Sequence, residues 1–140
     1  MSVVVRTAKP SIDANQAHQV AAGNLYAGED LAAGAPCYIK ASDGKVYMSD
    51  GAASNEAANF HGFTARETLQ GEPVTLFGAG TRMKYSTGMT PGAPLYIAAS
   101  DAYTDAGNLD TAATTGDTRV TAFAVNSTDI VVCRVNPLHG

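Results

Sequence analysis

Gly34-Ala35-Pro36-Cys37-Tyr38-Ile39-Lys40-Ala41-Ser42-Asp43 returns, with two positions changed, as Gly92-Ala93-Pro94-Leu95-Tyr96-Ile97-Ala98-Ala99-Ser100-Asp101. The copies begin at residues 34 and 92, an offset of 58. Gly-Ala-Pro reads as a turn, with Pro at a strand opening where its missing N–H does least harm. Cys37-Tyr38-Ile39 and Leu95-Tyr96-Ile97 then read as short strands of aromatic and β-branched residues. The match continues outward. Leu31 lies opposite Met89 at the same offset, Gly62-Phe63-Thr64-Ala65 resembles Ala122-Phe123-Ala124-Val125, and Glu72 to Phe77 resembles Asp129 to Cys133. Three blocks in one order mark an internal repeat.

Around this block the strands follow one another. Ser42-Asp43-Gly44-Lys45 has the composition of a hairpin turn, and Val46-Tyr47-Met48 is its return strand. Phe60 to Arg66 is a third strand, and Gln70-Gly71-Glu72 turns into Val74 to Phe77. Gly78-Ala79-Gly80 predicts a kink or bulge before Thr81 to Tyr85. The second copy repeats the order, with a long polar loop from Asp101 to Asp117 and final strands over Val120 to Val125 and Ile130 to Val135. Helical periodicity is weak. Its best stretch is Asn15 to Asn24, and Ala52 to Asn59 reads as one short turn capped by Ser54.

The expected fold is all-β: a small β-barrel or β-sandwich built from two repeated β-units, about 28–85 and 86–135, in a single β-domain over 26–140. A half too small to cover its own apolar face predicts one shared core. Residues 1–25 form an extended N-terminal arm. Its Val3-Val4-Val5-Arg6-Thr7 run is β-prone and Lys9-Pro10 breaks it. Such an arm either completes an edge of its own sheet or pairs with a neighbouring chain.

Composition narrows function. The 140 residues suit one domain. Charged residues are 16%, against about 25% in ordinary domains. This low charge fits either a surface covered by neighbours or a bias toward small residues. The net charge is −4 and the nine basic residues are scattered, which argues against nucleic acid as a partner. No apolar run approaches a membrane span, and residues 2–6 are too short and too interrupted for a signal peptide, so a soluble protein without a membrane partner is expected. Cys37 and Cys133 sit in apolar strand-like stretches and are expected to be buried small hydrophobes.

Reactive constellations are sparse. His18, His61 and His139 stand at no metal-ligand spacing, and His61 reads as packed or half-exposed. No nucleophile elbow or phosphate loop is present. Asp101, Asp105 and Asp110 share an acidic loop whose spacing fails the calcium pattern. No catalytic residue, metal or cofactor is therefore expected. An enzyme would need a cleft joining His61 with a carboxylate of perturbed pKa. Tyr38 and Tyr96, at matching repeat positions, read as core-packing residues. An exposed aromatic platform would instead favour a sugar- or receptor-binding β-module.

The repeated Gly34, Pro36, Tyr38, Ile39 and Gly92, Pro94, Tyr96, Ile97 pattern, with Gly62-Phe63-Thr64-Ala65 and Gly71-Glu72-Pro73-Val74-Thr75-Leu76-Phe77, resembles tailed-bacteriophage capsid decoration (cement) proteins. The resemblance covers about residues 28–135, and the arm carries no matching motif. It implies a structural virion protein, made in the host bacterial cytoplasm, that sits on the outer capsid surface. Its partners would be the major capsid protein and copies of itself, as a trimer or dimer. The arm residues Val3, Val4, Val5, Arg6 and Lys9 are the expected capsid contacts.

Overall fold

The computed structural model describes residues 3–6, 11–12, 19–21, 24–53, 55–100, 106–114 and 118–134. Its strands are β1 (Val3–Val4), β2 (Ser11–Ile12), β3 (Gln19–Ala21), β4 (Pro36–Ile39), β5 (Val46–Met48), β6 (Gly62–Thr64), β7 (Leu76–Phe77), β8 (Arg82–Lys84), β9 (Pro94–Ile97), β10 (Leu109–Asp110), β11 (Ala122–Ala124) and β12 (Asp129–Val132). Among the described residues the chain is all-β, apart from one 3-10 turn over Glu56–Ala58. The strands form two antiparallel sheets and no closed barrel. The first sheet runs β3-β7-β6-β4-β5 and the second β1-β10-β9-β11-β12-β8-β2.

The order of five strands recurs in both sheets, and the register recurs in four of them; the fifth, β3, carries a shift on β7 that β8 lacks on β12. Pro36 pairs with Phe63 and Cys37 with Gly62; Pro94 pairs with Phe123 and Leu95 with Ala122. Ile39 lies opposite Val46, as Ile97 lies opposite Leu109. The turns before β4 and β9 match as well. Gly34 and Gly92 have φ of 67° and 82°, which favours glycine. Their N–H groups donate to Thr64 O and Ala124 O, at 3.0 and 2.7 Å.

The Asp-Gly hairpin forms as read, with Gly44 at φ 68° and its N–H donating to Lys40 O at 2.8 Å. Other expectations change. Residues 19–21, inside the best helical stretch, form β3 on β7, because an open sheet edge there accepts a strand. The short turn is capped by Asn55, whose side chain accepts from Ala57 N–H at 2.9 Å. The polar loop after β9 contains β10, with Leu109 and Asp110 both buried. Asp110 therefore belongs to a strand and not to an acidic loop; Asp101 and Asp105 lie outside the described residues. β8 joins the second sheet through β12.

Two apolar clusters replace the single expected core. One lies against the Cys37 side of the first sheet and contains Ala27, Leu31, Val46, Val74 and Leu76. The other fills the Leu95 side of the second sheet with Ile97, Leu109, Ala122, Ile130 and Val132. It also takes in Phe60 and Phe63 of the first half. Phe63 meets Tyr85 edge-on at 6.4 Å and Phe60 at 5.3 Å, geometries aromatic quadrupoles favour.

The second sheet is not flat. Six residues lie between Val4 and Ser11, so the seven Cα steps reach about 25 Å at full extension. Six strand spacings lie between β1 and β2, which a flat sheet would place about 29 Å apart. The edges must therefore approach, and Ser86 Oγ donates to Val5 O at 2.6 Å.

Candidate interaction surfaces

The arm follows the edge-completing course. Val3 and Val4 pair with Asp110 and Leu109, and Val4 packs against the second cluster. The Arg6 guanidinium donates to Gly107 O at 2.7 Å and Asn108 Oδ1 at 2.8 Å. Val5, on the alternate side, is exposed. Of the arm residues expected at the capsid, Val3, Val4 and Arg6 thus engage their own chain and Val5 faces outward. Lys9 lies outside the described residues.

The second sheet carries an outward apolar row that the motifs did not single out. Phe123 stands between Pro94 on β9 and Val131 on β12, its register partners. Pro94, Phe123, Val125 and Val120 are exposed. Cys133, expected inside, is exposed too, because it follows Val131 by two positions and shares its side of the strand. Arg82 closes the far end of the row and pairs with Asp129 at 3.1 Å. The usable signal was alternation: Ala122 and Ala124 are buried while Phe123 between them is not.

Tyr38 is buried, as expected, whereas Tyr96 is only partly so. Both face away from Cys37 and Leu95, and neither ring belongs to an apolar cluster. Tyr38 is buried beside Tyr47, with ring centroids 6.0 Å apart. Tyr96 lies opposite Asp110 and is half-buried. Gly34, Pro36 and Ile39 hold the turn and strand of the first copy, as Gly92, Pro94 and Ile97 hold those of the second.

No family model matches the sequence, and no curated protein matches it.

The titratable groups serve the sheets. His61 Nδ1 accepts the Ile39 N–H at 3.0 Å, which requires a neutral ring. Burial, and then the nearby Arg134 charge, hold its pKa below the ordinary histidine value, against an opposing pull from Glu56. Glu56 is occupied with the Ala41 N–H, 3.2 Å from each carboxylate oxygen. Burial pushes the Cys37 thiol and the Tyr85 phenol well up, so both stay protonated. On the surface, Tyr47 donates to Asp43 Oδ2 at 2.6 Å, which pushes Tyr47 up to about 12 and holds Asp43 below its usual value. Among the described residues no three His, Cys, Asp or Glu side chains gather as metal ligands, and no helix is long and apolar enough to cross a membrane.

Described residues form several grooves. One of about 410 Å³ lies between β1 and residues 86–90. One of about 450 Å³ is bordered by Arg6, Glu29, Asp30 and Glu67. Another, about 280 Å³, lies between Arg66 and Phe77. His61 lines none of them.

Proposed function

We propose that this chain is a structural virion protein that binds the outer surface of a phage capsid and stabilises the shell by bridging major capsid subunits. We also read it as two copies of one β-unit, a reading supported by the matching strand order and register. The observation that carries the functional reading is the exposed row Pro94, Phe123, Val125 beside Val120. The corresponding phenylalanine of the first half, Phe63, is fully buried in a contact between the halves. A sheet face of this kind therefore docks in one half of the molecule and stands open in the other. Exposed apolar side chains paired across neighbouring strands, as Pro94 and Phe123 are, suit an interaction site.

The physics of a filled capsid suits such a part. Internal pressure pulls shell subunits apart, and a compact protein touching two or three of them makes their separation cooperative. Each contact stays modest because simultaneous engagement raises avidity by orders of magnitude. The low charged fraction, 16%, suits a surface partly covered in the particle. The test is to add purified chain to purified expanded shells. Saturable binding with raised thermal resistance of the shell is expected; absence of binding to any shell overturns the reading.

A further inference from the structure

The second sheet admits a strand where the first has no room for one. Val46 and Leu109 hold the same register position, opposite Ile39 and Ile97. In the first sheet Val46 N–H donates to Tyr26 O and Gly28 N–H donates to Val46 O, both at 2.9 Å. Residues 26–28 thus lie directly against β5. In the second sheet Leu109 N–H donates instead to the Tyr85 hydroxyl, at 2.9 Å. Tyr85 stands 58 positions after Ala27, the offset of the repeat. A phenol therefore replaces a backbone carbonyl as the partner of β10 and holds residues 85–86 off by the length of a side chain.

β1 runs into that gap. It pairs with β10 on one side, and Val5 O accepts from Ser86 Oγ on the other. Val4 points to the core, while Arg6 is clamped at Gly107 and Asn108. The groove of about 410 Å³ continues the gap along Ser86 to Thr90. This is strand addition: main-chain bonds give affinity, and alternate side chains give specificity.

We propose that the gap between β10 and Ser86 is a strand-acceptor site for an extended peptide with a β-branched residue facing inward and an arginine two positions later. Residues 3–6 of a second copy carry that pattern and fill the site when its own arm is absent. The chain's own arm, tethered by a few residues, competes at high effective concentration. Exchange between copies therefore shows once the resident strand is removed. This site does not depend on the capsid reading.

The test uses a labelled peptide of residues 2–9 and two proteins: the chain lacking residues 1–10, and the full chain with Val4→Asp, which ejects the strand without shortening the protein. Both are expected to bind the peptide saturably at one site, with the unaltered chain binding at least about tenfold more weakly because its site is filled. Peptide carrying Arg6→Ala is expected to lose roughly tenfold or more, since a charge-assisted bond is removed. Both proteins folded by circular dichroism but not binding overturn the proposal. So does loss of fold in both, which makes the strand part of the core and not a ligand. For exchange between copies, a chain lacking residues 1–10 with Ser86→Cys is mixed with a full chain carrying Val4→Asp and Val5→Cys, and then with one carrying Val5→Cys alone, all with the exposed Cys133 replaced by Ser. Against the donor's own site, a short bis-maleimide is expected to join the truncated chain to the Val5→Cys copy in a yield that rises with protein concentration, and not to the Val4→Asp one; equal yields overturn the exchange.

Discussion

Phe63 and Phe123 hold the same register position in the two sheets, beside Pro36 and Pro94, yet Phe63 has no exposed surface and Phe123 keeps 38%. Neighbouring pairs differ in residue type and not in the direction of their exposure. Gly62 corresponds to Ala122, His61 to Thr121, and Ala27 to Tyr85. Strand order and register follow from the repeated turns and hairpins, which are local. Burial follows from what each sheet is packed against, and that differs between the halves. The first sheet is covered on its Cys37 side by residues 25–35 and sends Phe63 into the other cluster. The second is covered on its Leu95 side and leaves Phe123 open. The same strand pattern thus gives a core contact in the first sheet and an exposed face in the second.

The comparison breaks most readily at the two phenylalanines. Phe63→Ala is expected to cost about 3–5 kcal/mol in urea unfolding, as for other buried large aromatics, and Phe123→Ala within about 0.5 kcal/mol. Equal costs would mean that the two sheet faces are not distinguished by docking. The next largest effect is at Gly62, where an added Cβ would lie 2.8 Å from Leu76 Cβ and 3.1 Å from Phe77 O. Gly62→Ala should destabilise by about 1–3 kcal/mol through overpacking, although alanine is the native residue at the matching position 122. Tyr85→Phe leaves the buried Leu109 N–H without its acceptor and should cost about 1–3 kcal/mol; a neutral result would remove the phenol from its place beside β10. Gly34→Ala and Gly92→Ala test what the halves share. Both positions have positive φ, and both changes should cost about 1–2 kcal/mol.

The smallest effect is a pH slope confined to the first sheet. His61 is neutral in the fold, with its pKa held below the unfolded value. The unfolded chain then binds more protons in the window between the two values, so stability rises with pH there. His61's contribution is present above the unfolded value of about 6.5 and is lost as pH falls through the lower folded value. Chemical unfolding from pH 7.5 to 5 should show this slope, and His61→Gln should flatten it; Thr121, at the matching position, gives the second sheet no counterpart.

Much of the fold was legible in the sequence because turn chemistry is local. The Gly-x-Pro turns, the Asp-Gly hairpin and the β-branched runs each name a strand by themselves. β10 was hidden because Leu109-Asp110 is two residues long inside a polar stretch, and its place is set by pairing with β9. β3 was hidden because Gln19–Ala21 has no strand composition of its own and takes its form from the edge of β7. The surfaces were less legible. An apolar context gave Cys133 to the interior, whereas alternation along β12 turns it outward; the repeat gave Tyr96 to the core, whereas it is only half-buried. The exposure at Phe123 needs two facts no single strand contains: its side of the strand, and that no sheet among the described residues packs in front of it.

Binding of the chain and of Phe123→Glu to expanded capsid shells, measured by co-sedimentation at equal fold stability, tests the working surface most directly. The account predicts saturable binding by the unaltered chain and a loss of at least about tenfold, or roughly 1.4 kcal/mol, for the variant. Shells that ignore the unaltered chain, or that bind both proteins alike, would contradict it.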